Sequence, residues 1–159
     1  MGAELTGDWG KLFKSLDNLA TRVKSETGKK IGQSIKKIEA RVLDHMDEQD
    51  LDWDELDKGY AKRKDEQGLS PDILRATNQM YSNITTHQED DFTGAVGVKR
   101  GVKNKDGEDV TDVAVIHEQP NNDGTKIPAR KLWEPTFEEM KETIPPDIMA
   151  GVTELAKKK

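Results

Sequence analysis

The sequence predicts an α+β fold, with amphipathic N-terminal helices packed on a small antiparallel sheet of three or four strands and a short C-terminal helix. Two observations carry this. Apolar residues recur at spacings of three and four up to about Tyr81, the period of a helix that buries one face. Beyond that point apolar and polar residues alternate, as they do in a half-buried strand.

Trp9, Leu12, Phe13, Leu16, Leu19, Ala20 and Val23 form the first apolar stripe, with Asp8 as its N-cap. The pattern pauses at Thr27-Gly28, because glycine weakens a helix interior by about 1 kcal/mol relative to alanine. It resumes through Ile31, Ile35, Ile38, Val42 and Met46. This reads as two helices, or as one long helix weakened near Gly28. Trp53, Leu56 and Tyr60 mark a short helix closed by Gly68, and Ser70-Pro71 reads as the start of the next.

Residues 82–88, 92–99 and 110–118 read as strands, with Asn104-Lys105-Asp106-Gly107 as a turn between the last two. Asn121-Asn122-Asp123-Gly124 is a second polar turn. A short helix over 138–143 is expected to break at Pro145-Pro146. One or two amphipathic turns follow, ending in a mobile Lys157-Lys158-Lys159 tail. The organisation is a single domain: a helical segment over 1–48, an α+β core over 49–144 and a C-terminal tail over 145–159.

Of the 159 residues, 33% are hydrophobic and 35% charged, so the core is modest and much surface is polar. The formal charge of -6 argues against a generic DNA binder. The charge is unevenly spread. Arg22, Lys24, Lys29, Lys30, Lys36, Lys37 and Arg41 crowd one stretch, and eight carboxylates from Asp44 to Asp57 crowd the next. Such blocks are either a solvated face or a partner surface. With no cysteine there is no disulfide and no thiol chemistry. No secretory signal is expected, and no apolar run approaches the roughly 20 residues of a membrane helix.

Catalytic patterns do not emerge. Gly28-Lys29 lacks the earlier glycine of a phosphate loop, because Val23 stands there. Asp50, Asp52 and Asp54 begin like an EF-hand, but Glu55 and Ala61 occupy its glycine and final glutamate positions. His45, His87 and His117 are not at ligand spacing, and no cofactor or metal is expected.

Four segments, in order, resemble the virion-morphogenesis, or tail-completion, proteins of tailed bacteriophages. They are Trp53-Asp54-Glu55-Leu56 with Tyr60-Ala61-Lys62-Arg63-Lys64, the run Leu74 through Tyr81 to Ile84, Val113-Ala114-Val115-Ile116-His117-Glu118, and Ile127-Pro128-Ala129-Arg130-Lys131-Leu132-Trp133. Asn78 stands where the family usually has glycine, Gln119-Pro120 where it has an aromatic-glycine pair, and Lys131 where proline is common.

The resemblance implies a non-enzymatic ring subunit of the neck. It would contact copies of itself and neighbouring connector and tail-tube or tail-terminator proteins, with non-specific contact with passing DNA and no membrane. The implied location is the virion, after assembly in the host cytoplasm. A nucleic-acid-associated module using residues 22–41 is the alternative reading. Trp53, Leu56, Tyr60, Leu74, Tyr81, Ile84 and His117 are the motif and core residues. Arg130, Trp133, Pro128, Lys29, Lys30, Lys36 and Lys37 are the interface candidates. Arg130 has a guanidinium suited to a carboxylate in a neighbouring subunit or close by in its own chain.

Overall fold

A computed structural model describes residues 7–119 and 127–157. Helix α1 (Trp9–Glu48) is one unbroken helix of 40 residues, about 60 Å long at 1.5 Å per residue. Asp8 caps it, its carboxylate accepting from the Lys11 N–H at 3.1 Å. The pause at Gly28 is not a break. Gly28 is buried, and a Cβ there would come 3.1 Å from the Asp91 Cα. The Gln88 side chain donates to the Gly28 carbonyl at 2.7 Å. Glycine at this position lets a second segment approach the helix backbone.

That segment is a hairpin of β1 (Ile84–Gln88) and β2 (Gly94–Val98), paired antiparallel with Ile84 opposite Val98 and Gln88 opposite Gly94. The expected fold class holds, but the sheet has two strands among the described residues rather than three or four.

The third expected strand is helix α4 (Val110–Glu118). The Asp109 carboxylate accepts from the Thr111 N–H at 2.9 Å and starts it. Val110 and Ala114 then turn inward while Val115 and Ile116 stay exposed, so helical spacing prevails over alternation. The Asn104–Gly107 turn forms as expected, with Gly107 at φ +85°, but it leads from hairpin to helix.

Helix α2 (Lys58–Glu66) starts at Asp57, so Trp53 and Leu56 precede it. Ser70-Pro71 does not open a helix. The Ser70 hydroxyl caps a bend at Asp72, and only the single turn α3 (Gln79–Ser82) follows. Leu74 and Asn78 take left-handed conformations between them, φ +63° and +55°.

The expected helix over 138–143 is α5 (Trp133–Met140). Pro145-Pro146 sits in the first turn of α6 (Ile144–Lys157), where a missing N–H costs nothing. The segment expected as a tail is thus mostly a 14-residue helix lying on α1. Of the expected mobile lysines, Lys157 ends α6 and the other two lie outside the described residues, as does the 121–124 turn.

Val42, Met46, Met80, Ile84, Val110, Ala114 and Leu132 form the buried core. Trp53, Leu74, Tyr81 and Trp133 pack half-buried against it. Tyr60 is 41% exposed, outside the core in which it was expected. No helix among the described residues is long and apolar enough to cross a membrane.

Candidate interaction surface and buried polar site

Packing covers only the C-terminal half of α1. Residues 7–22 are all exposed, and the first buried position is Gly28. Trp9, Leu12, Phe13, Leu16 and Leu19 are 42–60% exposed along one stripe. Five large apolar side chains on one projecting face exceed the scattered exposure normal for a monomer surface. The stripe was visible in the sequence as amphipathicity; its lack of a cover among the described residues was not.

The basic stretch is less open than its composition implies. Lys24 lies 3.6 Å from Asp91, and Lys29 lies 3.9 Å from Glu26. Lys37 pairs with Asp147 on α6, and the Lys30 side chain lies where a Cβ on Gly151 would project. Arg41 donates to both carboxylate oxygens of Glu139 (2.9 and 3.1 Å) and to Asp50 at 3.2 Å. Lys36 remains exposed. Two of the seven basic residues, Lys37 and Arg41, thus hold α6 and α5 to this helix.

The acidic stretch behaves in the same way. Asp47 pairs with Arg75 and accepts from the Tyr81 hydroxyl at 2.9 Å, while Arg75 stacks 4.2 Å above the Tyr81 ring. His45, 2% exposed, has its Nδ1 at 2.5 Å from the Asp50 carboxylate. Its Nε2 lies 3.3 Å from Glu139 but off the hydrogen-bonding direction. Sequence reasoning did not find this Arg41–His45–Asp50–Glu139 cluster. Only the spacing of four between Arg41 and His45 hinted at a shared face, and Glu139 arrives from a distant segment.

Arg130 is buried at 7% exposure instead of standing on the surface. Its backbone N–H donates to the His117 carbonyl at 2.7 Å. The guanidinium reaches the Asp54 carbonyl at 3.5 Å, and its Nε has no hydrogen-bond partner. Of the two partners expected for it, a carboxylate close by in its own chain is not found within ion-pair distance among the described residues.

Trp133 begins α5. The Glu118 carboxylate accepts from the N–H groups of Leu132 and Trp133 at 2.5 and 2.9 Å. Pro128 is half-buried, and Ile127 is exposed. Residues 121–126, which include the second polar turn, lie outside the described residues.

Lys64, unremarked in the sequence beyond its motif, is 3% exposed and donates to the Asp72 carbonyl at 2.7 Å. Burial pushes its pKa below the usual lysine value. Arg130, Lys64 and His117 line one cavity of about 460 Å³. No cluster of three or more metal-ligating side chains occurs among the described residues. Comparison with family models, with curated proteins and with solved structures returns no match.

Proposed function

We propose that the protein is a structural, non-enzymatic neck or tail-completion subunit of a tailed-phage virion, forming a ring with copies of itself at the head–tail junction. The observation that carries this reading is the bare apolar stripe from Trp9 to Leu19 on a helix whose other half is packed. A subunit completed by its neighbours leaves such a face uncovered in isolation. The sequence resemblance supplies the phage context. Asn78, standing where that family has glycine, takes φ +55°, a conformation open to glycine and asparagine but unfavourable for most side chains. The engagement of Arg41 by Glu139 and Asp50, and of Lys37 by Asp147, weighs modestly against the nucleic-acid reading.

Two experiments test the proposal. Light scattering is expected to give a mass several times that of one chain, and Phe13→Asp with Leu16→Asp to reduce it while far-UV circular dichroism stays helical. A phage lacking the protein is expected to yield filled heads and assembled tails that remain unjoined or unfinished. A native protein that is monomeric throughout, or normal infectious particles without it, overturns the reading.

A further inference from the structure

Two buried cations share one cavity wall, with Asp72 and Asp54 acting on them only from beyond ion-pair distance. Lys64 and Arg130 are 3% and 7% exposed, and among the described residues neither forms an ion pair. Each leans on a backbone carbonyl instead, Lys64 on Asp72 and Arg130 on Asp54. Buried charges are ordinarily paired, because a carbonyl dipole replaces only part of the lost hydration.

Three of the lining residues also hold a buried polar atom with no hydrogen-bond partner: Arg130 Nε, His117 Nδ1 and Gln79 Oε1. Leu56, Leu74, Met80 and Val113 give the cavity an apolar side. The turn bearing Lys105, Asp106 and Glu108 also borders the cavity, so two carboxylates and a third cation stand near it. At about 460 Å³ the space is far larger than a single ion and falls within the range of small-molecule sites.

We propose that this cavity binds an organic carboxylate with an apolar body. Arg130 and Lys64 hold the carboxylate, and the leucine and methionine side chains cover the hydrocarbon. The planar guanidinium of Arg130 and the Lys64 ammonium both suit the two oxygens of a carboxylate. A single negative charge relieves the repulsion between the two cations. Inorganic phosphate is a poorer fit, because it leaves the apolar wall uncovered and surrenders more hydration. The carboxylate can come from a free small molecule or from an acidic side chain of a second copy. This inference stands apart from the phage reading and survives its failure.

The test is a two-dimensional amide NMR titration of the full chain with hexanoate, hexylammonium and inorganic phosphate. Hexanoate is expected to shift the amides of Lys64, Gln79, Val113, His117 and Arg130, and hexylammonium to leave them in place. Arg130→Gln is expected to weaken hexanoate binding by about tenfold or more. Shifts of the same amides with protein concentration, reversed by hexanoate, identify a second copy as the source; their absence identifies a small molecule. The proposal is overturned if hexanoate moves none of these amides, if hexylammonium moves them equally, or if phosphate alone does. The comparison of ligands uses the native protein, so it decides even where the variant fails to fold.

Discussion

Gln49 and Ile73 are joined side chain to backbone by two hydrogen bonds. The Gln49 amide oxygen accepts from the Ile73 N–H at 2.8 Å, and its nitrogen donates to the Ile73 carbonyl at 3.2 Å. A second bond from the same nitrogen, at 2.6 Å, reaches the Met46 carbonyl. Gln49 itself sits at φ +52°, where α1 stops. One side chain therefore ends the long helix and ties the irregular 69–78 segment to it, supplying the backbone partners that segment lacks.

Gln49→Ala is expected to lower stability by about 1–3 kcal/mol, the cost of leaving part-buried backbone groups unsatisfied. Chemical denaturation checks it. A change within error of zero would show that water replaces the amide without loss.

Gly28→Ala separates two opposed effects. In an open helix interior the change stabilises by about 1 kcal/mol. Here the new methyl group meets the Asp91 backbone at the hairpin turn. The expected outcome is a net loss of about 1–3 kcal/mol, the usual range for overpacking. Gly10→Ala, whose Cβ has only the Asp8 carboxylate near it at 3.7 Å, serves as the control and is expected to stabilise.

Acid is expected to loosen α5 and α6 from α1. The hydrogen bond from Arg41 holds Glu139 below its ordinary 4.5, and His45 and Lys37 hold Asp50 and Asp147 below 3.8. These depressed values contribute stability above the ordinary carboxylate range, and it is lost as pH falls through the lower folded values. The pairs are largely exposed, so each contributes little and added salt weakens it further. Thermal melts from pH 5 to about pH 2 check this. Arg41→Ala is expected to flatten the slope.

His117 works in a different pH window. Burial, and then the positive charge of Arg130, hold its imidazole below the ordinary 6.5. The unfolded chain therefore takes up this proton first, and stability declines as pH falls from about 6.5 to the folded value. The ring resonances of His117 are expected to titrate below 6.5, and His117→Gln to remove that part of the decline. Titration at or above 6.5 would contradict the burial seen here.

The α1 stripe, its Asp8 cap and the Gly107 turn were legible because each rests on neighbours within a few residues. The stretch from Val110 to Glu118 was not. Val113, Val115 and His117 alternate with Ala114, Ile116 and Glu118, while Val110, Val113, Ala114 and His117 also lie at helical spacing. Tertiary burial of Val110 and Ala114, with the Asp109 cap, selects the helix. The meeting of Lys64 with Arg130 had no local signature. It depends on where α2 and the segment before α5 come to rest, which pattern alone does not determine. Sequence marked Arg130 as distinctive, and the structure moves it from the surface to a cavity wall.

The boundary between bare and packed helix divides the backbone of α1 into two kinetic regimes. A free helical end of about fifteen residues is marginal in water, so its amides are expected to exchange with solvent by fraying inward from Trp9. Those from Ile35 to Met46 open only with the body they are buried in. Covering the stripe would therefore stiffen a rod as well as hide a surface. The entropy lost in that stiffening offsets part of the contact energy and shortens the lifetime of each single encounter. A grip of this kind lets misplaced subunits leave and becomes durable only when several are engaged at once.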